Sequence, residues 1–310
     1  MGVHKRFAIA ATALLPYTVA VVLWGAFVRA SLSGDGCGDH WPLCNGLVLP
    51  VEPSTKTIVE LTHRVTSGLC WLWTFVMYVL SRRLFSSGHA TRSAAGWSLF
   101  FMTTEALVGA GLVLFRMVAE NPSTARAGWM SAHLVNTFLL LASLTWLAAS
   151  AWKDDGVRWP VERHTRMRFG GAAFLLLLAG VSGAVAALGD TLFPAGSLAE
   201  ALAADLSPTS HLFLRLRVWH PVIAIFAAGY LLWFAGVLVR RNSPSLGRIQ
   251  VWSLGGLALI QLAVGFFNVA LLAPVWLQLV HLLIADAIWI TLSLLALSSP
   301  AATSSANLAS

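Results

Sequence analysis

Charge is what this sequence has least of. Of its 310 residues only 11% are Asp, Glu, Lys or Arg, against 57% that are hydrophobic, and no soluble domain of that length can hide so much apolar surface. The scarcity excludes a water-soluble globular protein and leaves a polytopic membrane protein. A charge-dense segment is missing as well. The formal net charge is +7, but the positive residues are dispersed among short loops facing anionic lipid headgroups, which excludes a nucleic-acid partner. No Pro-rich or low-complexity linker breaks the chain, and cysteine is limited to Cys37, Cys44 and Cys70.

Apolar runs able to cross about 30 Å of hydrocarbon, roughly 20 residues at helical rise, fall near 8–29, 57–80, 95–115, 128–150, 169–189, 213–239, 249–271 and 276–298. They predict an all-α bundle of eight transmembrane helices. With the amino terminus in the cytoplasm, the inner tail and the loops 81–94, 152–168 and 240–248 hold 13 of the 20 Lys and Arg. The positive-inside rule therefore places both termini in the cytoplasm of a cell-membrane protein. "VRAS" at 28–31 loosely resembles a signal cleavage site, yet the run before it is too long and has a counterpart later, so the first helix is expected to stay. The polar tail 299–310 is expected to be disordered.

The chain repeats itself. "GAFVRA" at 25–30 corresponds to "GAVAAL" at 183–188, "TEALVGA" at 104–110 to "IQLAVGF" at 260–266, and "AHLVNTFLLLASL" at 132–144 to "VHLLIADAIWITL" at 280–292. Three matches in one order predict two four-helix halves in parallel repetition, 1–151 and 169–298, joined by a cytoplasmic linker at 152–168.

Of the nine histidines, His63, His133, His220 and His281 lie inside predicted helices two, four, six and eight. All sit about five to seven residues from the outer end, or about 8–10 Å at helical rise. A single intramembrane histidine serves as readily in hydrogen-bonded packing. Four at one depth, one on each even-numbered helix, point to function, because ionisable groups in a membrane are costly. Two histidines on facing helices can clasp a porphyrin through its iron. His63 with His133, and His220 with His281, thus predict two haem sites near the outer face. Arg64, Arg215 and Arg217 stand beside them, either to pair with haem propionates or to snorkel toward lipid phosphate.

"VELTHRVTSG" at 59–68 puts Glu60 three residues before His63, on the same helix face. Aligning the halves on their histidines places Arg217 where Glu60 stands. An arginine stays protonated, whereas a carboxylate can move protons or stabilise positive charge. The first half therefore reads as equipped for chemistry, the second for holding a cofactor and passing electrons. In the loop "GDGCGDHWPLCNG" at 34–46, Cys37 and Cys44 enclose six residues on the oxidising side of the membrane. Spacing and compartment permit a disulfide. It would brace the loop or exchange electrons with a partner. The second half carries "GDTLFPAG" at 189–196 instead, without cysteine. Cys70 reads as a buried small apolar residue. Two further intramembrane carboxyls, Glu105 and Asp286, read as protonated and hydrogen-bonded or as proton carriers. Gly109 and Gly111 permit close helix packing or the approach of a flat ligand.

These residues resemble the haem A synthase family, membrane enzymes that convert haem O to haem A for terminal oxidases. The resemblance covers all eight predicted helices. It is carried by "GAFVRASLSGDGCGDHWPLCNG" at 25–46, "ELTHRVTSG" at 60–68, "SAHLVNTFLLL" at 131–141, "RVWHP" at 217–221 and "QLVHLLIADA" at 278–287. It implies that the first half takes haem O between His63 and His133, with Glu60 as the catalytic carboxylate, and that His220 and His281 keep a haem b. The implied reaction oxidises one porphyrin methyl to a formyl group through hydroxylated intermediates. Haem O synthase is the implied supplier, a quinone or another acceptor takes the electrons, and a homo-oligomer is compatible. In similar proteins the cysteine pair occurs only in some classes. The same four histidines would also suit a quinone-linked di-haem b-type cytochrome or a haem transport and delivery protein, neither of which needs Glu60. A membrane thiol oxidoreductase built on Cys37 and Cys44 would leave the histidines unexplained.

Overall fold

The computed structural model describes residues 2–157, 159, 163–241 and 247–298. The polar tail at 299–310 and part of the 152–168 linker lie outside the described residues. Among these residues the chain forms ten helices and no named strand: α1 (Val3–Ala30), α2 (Thr55–Leu84), α3 (Ala90–Leu114), α4 (Thr124–Ala151), α5 (Arg163–Leu192), α6 (Leu198–Leu206), α7 (Leu212–Arg217), α8 (Trp219–Arg241), α9 (Arg248–Ala270) and α10 (Val275–Ser298).

Seven spans are long and apolar enough to cross a membrane, with α7 and α8 forming one of them. The protein is a multi-pass membrane protein. The eighth expected crossing, α2, is as long as any, at 30 residues, but it is not among the seven. Glu60, His63 and Arg64 near its start and Arg82 and Arg83 in its last turn lower its apolar character. Ser54 caps it by accepting the Thr57 N–H at 3.2 Å.

Two local features depart from the sequence expectation. The helix expected over 213–239 breaks at Val218, between α7 and α8. Pro221 explains the break, since it has no N–H to donate to the Arg217 carbonyl four residues back. The connection after α5, expected as an irregular loop, contains α6. Its start follows from "SLAE" at 197–200: Ser197 Oγ accepts the Glu200 N–H at 3.2 Å, and Glu200 reaches back to the Gly196 N–H at 2.8 Å, a variant of the capping box.

The helices close into two rings. In one, α1 packs on α2, α2 on α3, α3 on α4 and α4 on α1; in the other, α5 packs on α8, α8 on α9, α9 on α10 and α10 on α5. The rings meet where α10 lies against α4 and α1, and α4 against α5. Each has its own core: Leu14, Met77, Ala94 and Leu144 mark the first, Phe234, Leu254, Ile288 and Leu295 the second. A third cluster seals the seam, where Trp289 stacks on Phe138 with centroids 4.9 Å apart and donates its indole N–H to the Phe138 carbonyl at 2.6 Å. These side chains belong to the first halves of α1, α3 and α9 and the second halves of α2, α4, α8 and α10. Tight packing therefore occupies the end of each ring where α1 begins. Between helices already in lipid it is dispersion and close fit that hold such a core. The opposite end, where α2, α4, α7 and α10 start, is less filled, and it carries the histidines.

Candidate functional site

His63, His133, His220 and His281 lie in the first halves of their spans, all at the loosely packed end. None is fully buried. Each ring faces a glycine on the preceding long helix. A Cβ on Gly25 would lie 2.9 Å from Cε1 of His63, one on Gly183 2.9 Å from Cε1 of His220, and one on Gly265 3.2 Å from Cε1 of His281. Gly109 leaves more room, 3.8 Å from Nε2 of His133. Glycine is what lets the Cε1 edge of an imidazole come so close to a neighbouring helix backbone at three of these four positions. The His220 and His281 rings stand 6.3 Å apart, centroid to centroid, with their planes at 87°.

Glu60, 3% exposed, is held from two sides. Its Oε2 accepts the Cys37 N–H at 2.8 Å, and its Oε1 takes the guanidinium of Arg64, with Nη2 at 2.5 Å and Nε at 3.1 Å. The same guanidinium donates from Nη1 to the carbonyls of His40 and Leu43, both at 2.6 Å. The loop thus wraps the pair. Cys37 and Cys44 are joined in a disulfide, and Gly36 sits so close to the start of α2 that a Cβ there would meet the Lys56 carbonyl at 2.4 Å. Its own carbonyl accepts from Thr57 Oγ1 at 2.8 Å. Farther out, Arg116 donates to Asp39 at 2.5 Å and holds that carboxyl below the usual carboxylate range.

Among the described residues the second half has no carboxylate beside its first histidine. Arg217, at the position matching Glu60, pairs with Asp190 at 2.5 Å and Asp205 at 2.6 Å. Arg64 and Arg217, both expected near propionates, are thus engaged within the protein, while Arg215 is exposed on α7. Two other arginines escaped the sequence reading. Arg29 at the end of α1 donates to the Ala187 carbonyl, Thr191 Oγ1 and Gln278 Oε1, each at 2.8 Å, tying α1 to α5 and α10. Arg126, 2% exposed, donates to the carbonyls of Ala119 and Asn121. Both lay unremarked because nothing local marks a long-range bond to a carbonyl.

Glu105 is also part of the site. Its Oε1 lies 3.1 Å from Nδ1 of His133 and accepts from Thr137 Oγ1, while its Oε2 accepts from Asn136 at 2.5 Å. In the second half Ser182 Oγ lies 3.1 Å from Nδ1 of His220, and the amide nitrogen of Gln261 lies 3.2 Å from Nε2 of His281. Asp286 stands apart. It is 1% exposed, and neither carboxyl oxygen has a hydrogen-bond partner among the described residues. Cys70 is buried beside Thr18, as its apolar setting predicts.

A family model described as cytochrome oxidase assembly protein, COX15-CtaA, matches residues 7–293. The chain belongs to this family. Among curated relatives, it is 48% identical over 300 residues to a protein of Thermus thermophilus named protoheme IX farnesyltransferase, a match covering 95% of this chain and 48% of that protein. It is 33% identical over 141 residues to the heme A synthase of Halalkalibacterium halodurans, covering 46% of this chain and 47% of the relative. With the heme A synthase of Bacillus mycoides it shares 39% identity over 97 residues, or 31% of each chain. The chain spans about half the length, or less, of the curated relatives it matches. The family match and the relatives named heme A synthase bear out the resemblance carried by the motifs.

Proposed function

We propose that the chain is a haem A synthase, an oxidoreductase that converts one porphyrin methyl of haem O to a formyl group. In this reading it crosses the membrane eight times as two pseudo-repeated halves, 1–151 and 169–298. Both termini face the cytoplasm and the histidines lie near the outer face. His63 and His133 hold the substrate, and His220 and His281 hold a haem b.

One observation supports the proposal: the four histidines sit at the less filled end of two helix rings, three of them pressed to a glycine, and among the described residues only the first ring adds a buried carboxylate one turn before its first histidine. The residues suit a porphyrin. Nδ1 of His63, His133 and His281 is buried without a hydrogen-bond partner among the described residues. The His220 and His281 rings stand 6.3 Å apart, centroid to centroid, so these two side chains would hold one haem between them. Haem b would supply a one-electron carrier at that site.

The chemistry of the first half follows from Glu60. Removing two electrons and a proton from the methyl of haem O leaves a cationic carbon; water adds and a second proton leaves, giving the hydroxymethyl group. A second round of the same balance gives the hydrate, which loses water to the formyl. Developing positive charge is what a preorganised carboxylate stabilises. Each Glu60 oxygen already has a donor, and a carboxylate accepts more than two, so the Cys37 loop and Arg64 fix its direction without exhausting it. Among the described residues His220 lacks such a neighbour.

The relative named protoheme IX farnesyltransferase supports the matching supply step, since farnesylation of protohaem yields the substrate invoked here. A haem O synthase is therefore the proposed partner, and a membrane quinone the proposed electron acceptor. The test is to express the protein with haem O available, purify it, extract the haems and separate them by chromatography with mass detection, beside Glu60→Ala. The reading predicts haem B together with haem A or hydroxylated haem O, with the oxidised products lost in the variant. Haem B alone in both proteins contradicts it.

A further inference from the structure

We infer that Glu105 is the positioning residue of the substrate site, and that its replacement by Gln261 in the other half sets the two irons apart in reduction potential. The inference rests on the proposed pairing of histidines with haems. Its basis is a difference between corresponding positions. "TEALVGA" and "IQLAVGF" align Glu105 with Gln261 and Gly109 with Gly265, and each member of these pairs touches the second histidine of its own half. Gly109 and Gly265 lie beside the rings of His133 and His281. The group between helix and ring is a carboxylate in one case and an amide in the other.

Glu105 is surrounded by donors. Asn136 spends one amide N–H on the Phe101 carbonyl at 2.9 Å and the other on Glu105 Oε2 at 2.5 Å, while its own oxygen accepts from Thr104 at 2.6 Å. That closed chain fixes which atom of Asn136 faces Glu105. Thr137 donates to Oε1, the oxygen 3.1 Å from Nδ1 of His133. The contact is an ion-pair distance without hydrogen-bond geometry, so the carboxylate acts on the ring through its charge and leaves Nε2 for an iron. A carboxylate behind an iron-bound imidazole raises its basicity and favours the ferric state. Gln261 brings no charge, and its contact is to Nε2 of His281 rather than to Nδ1. The substrate iron is therefore the easier of the two to keep oxidised, which suits the site from which electrons must leave.

The test is a spectroelectrochemical titration of protein loaded with haem O, with the first-half signal identified by its loss in His63→Ala. Glu105→Gln is expected to move the first-half midpoint upward and leave the second in place. Gln261→Glu is expected to move the second downward, and Glu105→Asp to restore part of the native value. Apparent haem O affinity in Glu105→Gln should weaken by about 10- to 100-fold, as for other residues that orient a ligand. Two haem signals that neither exchange moves would overturn the inference while leaving the histidine pairing intact. Loss of neither signal on removing His63 would overturn the pairing itself, and the inference with it.

Discussion

The backbone N–H of Cys37 donates to Oε2 of Glu60 at 2.8 Å, so a disulfide-closed loop orients the carboxylate assigned the chemistry. Replacing both Cys37 and Cys44 by Ser should loosen that hold. Displacement of a reacting group by about 1 Å can reduce the rate about 10²-fold, and turnover of haem O is expected to fall by up to that factor while haem B content stays constant. Native turnover in the double variant, measured by product extraction, would show that the loop is not needed to place Glu60.

The glycines beside the histidines make a graded series. Gly25→Ala and Gly183→Ala put a methyl 2.9 Å from an imidazole carbon, whereas Gly109→Ala makes an ordinary contact at 3.8 Å. The first two should each displace one ring and empty one site, the substrate site for Gly25 and the haem b site for Gly183. Overpacking of this kind costs about 1–3 kcal/mol. Gly109→Ala should retain both haems. Optical quantification of bound haem distinguishes the three.

Arg217 and Arg215 are two residues apart on α7 and should behave differently. Arg217→Ala leaves Asp190 and Asp205 facing each other without their cation, a loss of about 1–3 kcal/mol. Arg215→Ala removes an exposed side chain and should change stability by less than about 0.5 kcal/mol. Thermal unfolding in detergent resolves the difference, and equal effects would contradict the assignment of Arg217 to an internal ion pair.

Asp286 is buried with no partner for either oxygen among the described residues. An unpaired buried polar group costs about 1–3 kcal/mol by mutational measure, so Asp286→Leu is expected to unfold at a higher temperature than the native protein. A lower unfolding temperature would reveal an interaction that offsets the burial.

Much of this site was legible because the chain is so apolar. Four histidines and Glu60 stand out against hydrophobic runs, and their depth can be counted from helix ends. The break at Val218 was foreshadowed by Pro221 and the start of α6 by "SLAE", although apolar periodicity alone ran through the first and missed the second. The partners of the cations were not legible. Arg64 finds Glu60 one turn back, but Arg217 reaches Asp190, 27 residues away, and Arg29 reaches Gln278, 249 residues away. Packing decides such contacts, and no local pattern encodes them. Glu105 lies between these cases: its alignment with Gln261 was visible, while its contact with His133 needed the fold.

The central claim is that the four histidines divide into two pairs, each holding one haem. Haem stoichiometry and identity in His63→Ala and His220→Ala, purified with haem O available, test it most directly. The account predicts that His63→Ala keeps haem B and loses haem O and its oxidised products, and that His220→Ala loses haem B while still binding haem O. Loss of both haems in proportion from either variant, or of neither, would contradict it.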